Sequence, residues 1–347
     1  MTLGVSIVIC CYNSARRLGP TLDHLARQCP SPGVPWEVII VDNCCTDGTA
    51  AFAMKAWPKT APAPLRVVLE PAPGKTRAFE RGFEEAAYDF MCVVDDDNWV
   101  CQDWVKLVAE VMTSDPQIGI CGGPSEGVFE AAPPPWFATF GRAFAVGEVS
   151  SVPADITWTR GYIWGAGQCV RKQAWRQLRE QGFRNELSCR CGTQLTSGSD
   201  GELCRAMRLA GWKLYYDPRL RIQHYMPSGR LNWPYLRQLQ NGLGVASVTI
   251  DAYNFAAKRN KWGISKLIKE NWAFQMFCTL LDLARCGPMA FSAKKRAREG
   301  SDAALKAEFA IGRLNALWQS PGDYRRRIQE VRHASWRTIQ SAPVCQT

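Results

Sequence analysis

Short apolar runs at residues 5–10, 38–41, 66–69 and 90–94 punctuate the first part of the chain. They are rich in β-branched residues and bounded by turn formers, the pattern of strands buried on both faces. The stretches between them, residues 15–27, 49–56 and 76–88, carry helical spacing. Strand and helix in alternation predict an α/β fold with a mostly parallel sheet flanked by helices. Ligands on such sheets gather at the carboxyl ends of the strands. Polar residues cluster there: Tyr12 and Asn13 after the first run, Asp42 and Asn43 after the second, Asp95 to Asp97 after the fourth.

The alternation breaks from Gly122 to about Trp164, where Pro133, Pro134 and Pro135, several glycines and scattered aromatics predict irregular chain. Order returns with residues 167–171 and a helical stretch continuing to Gln181. A helix is predicted at 200–210 behind Ser197-Gly198-Ser199, then a strand at 213–216, with the segment around Arg221 to Tyr225 reading as a strand end. Beyond His224 the pattern is mainly helical. The expected organisation is therefore 1–121 and 122–226 as two halves of one catalytic domain, followed by a helical region at 227–347.

Charge sharpens that last boundary. Residues 1–225 hold 23 Lys and Arg against 24 Asp and Glu, whereas 226–347 hold 19 against 8. The entire net charge of +10 thus comes from the tail, which suggests different partners for the two regions. The tail's Lys294-Lys295-Arg296 and Arg325-Arg326-Arg327 runs, interleaved with Trp262, Trp272, Trp318 and Trp336, fit a solvated helix face or an interfacial helix on an anionic membrane. Nucleic acid is a lower-ranked partner, because binding through the tail leaves the acidic residues of the first region unexplained.

Fifteen cysteines raise the question of a disulfide framework. Cys10, Cys11, Cys44, Cys92 and Cys121 lie in or beside apolar runs, where a thiol behaves as a small hydrophobe. Cys189 and Cys191 are too isolated to make a zinc site. The odd count, and an N-terminus with no basic segment before its apolar run, point to a reducing, cytoplasmic setting. No apolar stretch reaches the ~20 residues of a spanning helix. The best, 271–281, is closed by Glu270 and Asp282.

Asp95-Asp96-Asp97 is the sharpest chemical signal. Like charges side by side at a strand end are costly without a cation, and carboxylates shared with phosphate oxygens suit Mg²⁺ or Mn²⁺. A solvated acidic turn, with Asn98 capping a following helix, is the alternative. Gly74-Lys75-Thr76 resembles the end of a P-loop, but Leu69 stands where that motif needs glycine. Lys75 or Arg77 can still face a diphosphate from there. Asp200 reads either as a general base at a helix N-terminus or as an acid complementing the helix dipole. His224 is either structural or, if the fold brings it to the acidic triplet, a ligand.

In order along residues 3–226, these segments resemble family 2 glycosyltransferases of the GT-A fold. Val5-Ser6-Ile7-Val8-Ile9-Cys10-Cys11-Tyr12-Asn13 looks like the family's first strand and turn, and Val41-Asp42-Asn43-Cys44-Cys45-Thr46-Asp47-Gly48-Thr49 like its second-strand motif. Val94-Asp95-Asp96-Asp97-Asn98 looks like the DxD element. Gly165-Ala166-Gly167, Ser197-Gly198-Ser199-Asp200 with Glu202-Leu203, and the segment from Ala210 to Pro218 ahead of His224 complete the series. Cys45 departs from the usual Ser, Ser199 from the usual Glu, and Ala78-Phe79-Glu80 from the usual Ala-Arg-Asn.

The resemblance implies inverting transfer from a nucleotide-sugar donor, UDP-sugar favoured, to a glycan or lipid-linked acceptor, with Mn²⁺ or Mg²⁺. Tyr12, Asp42, Lys75, Arg77, Asp95 and Asp96 would bind donor. Asp95, Asp97 and His224 would hold the metal, and Asp200 would act as base. The irregular segment would wall the acceptor, with Trp136, Phe137, Trp158 and Trp164 stacking on sugar or lipid. A sugar-1-phosphate nucleotidyltransferase ranks lower, since Cys11-Tyr12-Asn13-Ser14 lacks that class's Gly-rich loop.

Overall fold

The computed structural model describes residues 2–29, 33–188, 198–257, 264–287 and 299–338. Cys189, Cys191, Ser197, Trp262 and the basic run at 294–298 lie outside them.

An eight-stranded sheet forms the centre. Its first four strands, β1 (Val5–Cys11), β2 (Trp36–Asp42), β3 (Leu65–Leu69) and β4 (Phe90–Val93), run parallel in the order β3-β2-β1-β4. The register pairs Val5 with Trp36 and Cys11 with Asp42, so the two strands end side by side. Alternate β1 side chains feed the two faces. Val5, Ile7 and Ile9 pack with Leu18, Leu22 and Leu25 of helix α1 (Leu18–Ala26). Val8 packs with Ala78 and Phe83, on the face covered by α3 (Lys75–Glu85), in the same cluster as Ile39 and Val41 of β2. Helix α2 (Thr49–Ala56) has the bounds expected from its spacing.

The parallel run then reverses. After β5 (Asn98–Val100), helix α4 (Trp104–Ser114), β6 (Ile118–Gly122), β7 (Ser125–Phe129) and the two-residue β8 (Ala154–Asp155), strand β9 (Cys169–Arg171) enters antiparallel between β4 and β6. An antiparallel strand presents its amino end where its neighbours present their carboxyl ends. Gly165 to Gln168 therefore reach the ligand-binding edge, and Gly167 N–H donates to the Val93 carbonyl at 3.0 Å. The short α5 (Phe137–Phe140) precedes β8, and α6 (Lys172–Glu180) and α7 (Ser199–Leu209) follow β9. Strand β10 (Lys213–Tyr216) pairs with β6 and β8.

A second sheet, β5-β11-β7, includes β11 (Ile222–Met226). It pairs His224 with Asn98, beside the acidic triplet. Asn98 thus enters a strand rather than capping a helix, and its Oδ1 accepts the Asp95 N–H at 3.1 Å. Residues 122–164 contain β7, α5 and β8 and are otherwise irregular. Trp136 and Phe137, expected to wall the acceptor, have little exposed surface. They are buried with Phe144 and Trp233, Trp136 stacking on Phe144 and meeting Trp233 edge-on at 5.5 Å. Burial of apolar area won over solvent-side display of the rings.

Beyond residue 226 come α8 (Trp233–Ala257), α9 (Ile264–Lys269), α10 (Trp272–Arg285), α11 (Asp302–Gln319) and α12 (Asp323–Arg332). Val248, Ala252, Leu317, Tyr324 and Ile328 share one hydrophobic cluster with Leu203 and Met207 of α7. The core is continuous across the expected boundary. Asp251 of α8 accepts from Arg313 at 2.6 Å and from the Tyr324 hydroxyl at 2.7 Å, tying three helices together. Where α8 crosses α11, Gly244 lies against the Phe309 carbonyl and Gly312 against the Asn241 carbonyl. A Cβ at either would overlap backbone. Gly244→Val is accordingly expected to destabilise the protein by about 1–3 kcal/mol or more, read as a lowered midpoint in urea denaturation. A wild-type midpoint would contradict this close crossing.

Candidate active site

A cleft of about 660 Å³ opens at the carboxyl edge of the sheet. The loop after β1 supplies Tyr12, which is 60% exposed. Asn13 takes a left-handed conformation, φ 51°, and its Oδ1 accepts the Thr46 N–H at 2.8 Å. That bond fixes the β1 loop to the β2 loop. Cys45 serves the same junction: its Sγ accepts the Asn13 N–H and donates to the Cys11 carbonyl, both at 3.3 Å. Asp42 accepts the Cys45 N–H at 2.9 Å and is not among the cleft-lining residues; its neighbour Asn43 is.

Asn43 holds the next loop. Its Nδ2 donates to the Glu70 and Ala72 carbonyls, and its Oδ1 accepts the Gly74 N–H at 2.9 Å. Gly74, at φ 132°, makes the turn into α3. Lys75 opens that helix and reaches Asp95, Nζ to Oδ1 2.5 Å. Arg77 is exposed and does not line the cleft. Two residues on from Lys75, it lies nearly half a turn around the helix.

The three acids part company. Asp95 faces the cleft and Lys75. Asp96 turns inward, accepting from the Ser14 hydroxyl and pairing with Arg17 at 2.7 Å. Burial pushes its carboxyl pKa up, against the pull of Arg17. Asp97 is buried, pairs with Arg230 at 3.0 Å and lies 3.7 Å from His224 Nε2. Both Asp95 and Asp97 thus already have a cationic side chain beside them.

Asp200 comes to the cleft from α7. Gly198 turns the chain at φ 123°, and Asp200 Oδ2 accepts the Gly165 N–H at 2.8 Å. Gly165 stands at the mouth of the inverted β9, so the strand reversal is what brings Asp200 to the edge that carries Asp95. Tyr12, Lys75, Asp95, Asp96, Asp97, Asp200 and His224 all line this one cleft.

Two contributors were not among the expected site residues, Arg230 outside any motif and Glu202 within the segment that carries Asp200. Arg230 sits in a single 3₁₀ turn, Ser228–Arg230, and lines the cleft. Glu202 is fully buried and accepts from the Glu186 and Leu187 N–H groups and the Tyr253 hydroxyl, fixing residues 185–187 against α8. Burial raises its pKa, partly countered by those donors. Its place after Asp200 was visible in the sequence, but its function as a buried acceptor was not.

Among the described residues, no group of three or more His, Cys, Asp and Glu side chains is arranged to hold a metal ion unaided.

Residues 6–136 match the profile described as Glycosyl transferase family 2. Among curated proteins, the Poly-beta-1,6-N-acetyl-D-glucosamine synthase of Staphylococcus aureus (strain COL) is 29% identical over 123 residues, covering 35% of this chain and 28% of the relative. The Undecaprenyl-phosphate 4-deoxy-4-formamido-L-arabinose transferase of Pectobacterium carotovorum subsp. carotovorum (strain PC1) is 30% identical over 93 residues, 27% of this chain and 28% of the relative. The chain therefore spans little more than a quarter of the length of either. Among solved structures, S. aureus TarS 1–349 aligns over 93% of this chain and 92% of its own, at 16% identity and a TM-score of 0.50. The mannosyltransferase PcManGT from Pyrobaculum calidifontis, in complex with GDP-Man and Mn²⁺, aligns over 92% and 88%, at 16% identity and a TM-score of 0.52. These likenesses show the GT-A fold, with helices after it. The family match ends before Asp200 and His224.

Proposed function

We propose, from the match of residues 6–136 to the Glycosyl transferase family 2 profile and from the cleft, that the chain moves a sugar from a nucleotide-diphosphate donor to an acceptor hydroxyl with inversion. The observation that carries the reading is the convergence of Asp95, Asp97, His224 and Asp200 on one cleft. Tyr12, at the mouth, would meet the nucleoside, with UDP favoured over other nucleotides. Lys75 and Arg230 offer cations to the diphosphate. Asp200 would take the proton of the acceptor hydroxyl as that oxygen attacks the anomeric carbon.

Asp95, Asp97 and His224 would hold Mn²⁺ or Mg²⁺. Such ions commonly use only one or two protein carboxylates plus substrate phosphates. Because the three do not form a complete ligand set on their own, the ion would depend on diphosphate oxygens arriving with the donor. When bound, it would neutralise charge on the leaving group.

Calorimetry with UDP and GDP, with and without Mn²⁺, combined with nucleoside diphosphate release from a nucleotide-sugar panel, tests the reading. Metal-dependent binding and release of one nucleoside diphosphate are expected. Neither occurring with any donor would overturn it.

The acceptor reading extends to location. Phe277, Leu280 and Leu281 of α10 are exposed, Phe277 at 57%, in the region that carries the positive charge. No described helix is long and apolar enough to cross a membrane. Peripheral contact with an anionic bilayer fits this face, each basic residue near such a surface contributing about 1 kcal/mol. The full chain should sediment with phosphatidylserine vesicles at low salt and be released at high salt, and Phe277→Ser should weaken retention. Equal recovery in the supernatant with neutral and anionic vesicles would leave α10 as an exposed helix only.

A further inference from the structure

Arg160, Arg205 and Arg208 border the aromatic segment 158–164 that leads to the cleft, and none of them is ion-paired with a carboxylate among the described residues. Arg160 lies over Tyr162 at 4.5 Å and over Trp164 at 4.3 Å, and Arg205 stands 5.7 Å from the same Tyr162 ring. Arg208 covers Trp158 at 5.3 Å and packs against Gly161. Arg205 Nε and Arg208 Nη2 both reach Asn254 Oδ1 at 3.4 Å. One amide oxygen thus joins Arg205 and Arg208, and the Tyr162 ring has Arg160 and Arg205 within 5.7 Å of its centre.

Their positive charge has no ion-pair partner among the described residues of the chain, although Asp200 acts on Arg205 at longer range. All 32 Asp and Glu residues lie among the described residues, and none forms an ion pair with any of the three. Arg160 Nη1 and Arg208 Nε are buried and lack a hydrogen-bond acceptor among the described residues. Buried charge left unpaired is disfavoured. Consistently, burial and then Arg205 push the Arg208 pKa down to about 10, and burial lowers that of Arg205. Guanidinium groups suit phosphate recognition through multiple N–H donors.

The cluster is built from elements that position Asp200. Arg205 and Arg208 lie on α7, one and two turns beyond Asp200, and Arg205 Nη1 donates to the Gly201 carbonyl at 2.8 Å. Arg160, Tyr162 and Trp164 lead directly into Gly165, whose N–H holds Asp200. We propose that Arg160, Arg205 and Arg208 form a second anion site, separate from the donor cleft, which binds a phosphoryl group carried by the acceptor. The assignment to the acceptor rests on the proposed transfer; the anion site does not.

The test uses the full chain, with Arg208→Gln and Arg160→Gln as separate variants. Ligands are inorganic phosphate, glycerol phosphate, and phosphatidic acid in detergent micelles, each against chloride at equal ionic strength. At least one phosphoryl ligand is expected to raise the wild-type melting temperature and to bind each variant at least tenfold more weakly. The tightest of the three identifies the source as free, soluble-ester or lipid-borne phosphate. Without phosphate, Arg208→Gln should melt no lower than wild type, because it removes like-charge repulsion. No response to any ligand beyond chloride, or phosphate binding untouched by both substitutions, overturns the site. So does a lower melting point of Arg208→Gln without phosphate, which marks a structural cation. UDP binding with Mn²⁺, measured in the same proteins, should be unchanged; its absence from wild type would instead refute the donor reading.

Discussion

Asp200→Asn is expected to lower sugar transfer by ~10²–10⁴, the range for loss of a general base, while nucleoside diphosphate affinity stays near that of wild type. Asn keeps the size of the side chain and one oxygen able to accept the Gly165 N–H, now at 2.8 Å. The α7 entrance therefore survives, and what is lost is the ability to take a proton. The donor side is built from other elements: Lys75 comes from α3 and Asp95 from the loop after β4, where they pair with each other. A purely structural role makes a different forecast. An acid at a helix N-terminus contributes typically 0.3–1 kcal/mol to stability, so Asn would shift the denaturation midpoint and leave transfer alone. Transfer rates and urea midpoints measured on the same preparation separate the two. A rate within a fewfold of wild type would make Asp200 a dipole-complementing acid.

The parallel half of the sheet was readable because period and length agreed there. Short β-branched runs, each followed by a helical stretch, leave few alternatives, and β3, α2 and β10 fall within a residue of expectation. The second sheet was hidden by brevity. β5 has three residues, wedged between an acidic triplet and a helix, and its pairing with β11 joins positions more than a hundred residues apart. Short range pattern cannot report such a pairing. Orientation was similarly illegible. Three consecutive acids read as one feature, yet they sit in the turn between β4 and β5 and take three different partners: Lys75 for Asp95, Ser14 and Arg17 for Asp96, Arg230 for Asp97. Lys75 and Arg77 were interchangeable in the sequence and are separated by helical phase in the fold. Trp136 and Phe137 looked available for ligands because the segment is proline-rich; Trp233, from a distant helix, buries them. Arg230 gave no signal, since an arginine in a Ser-Gly-Arg turn acquires meaning only from the Asp97 it meets.

That meeting shapes the other large expected effect. Asp97→Asn should retain the fold and lose metal-dependent affinity for UDP. Asp97 is buried, 3.0 Å from Arg230 and 3.7 Å from His224. Removing one member of a buried ion pair is normally destabilising because the other charge is left uncompensated. Asn softens this by keeping an oxygen for Arg230, so the protein should remain folded by circular dichroism, with some loss of stability. A neutral amide is a poor ligand for a hard divalent ion. Even outer-shell changes around a metal typically cost 10–100-fold in affinity, so losing a direct carboxylate should cost at least ~10²-fold in Mn²⁺-dependent UDP binding. The two parts of the effect are separable by calorimetry. Without Mn²⁺ the contacts made by Tyr12 and Lys75 remain, and the mutant and wild type should bind UDP about equally. With Mn²⁺ only wild type should tighten. Equal tightening in both would mean that Asp97 holds Arg230 in place and takes no part in binding the ion.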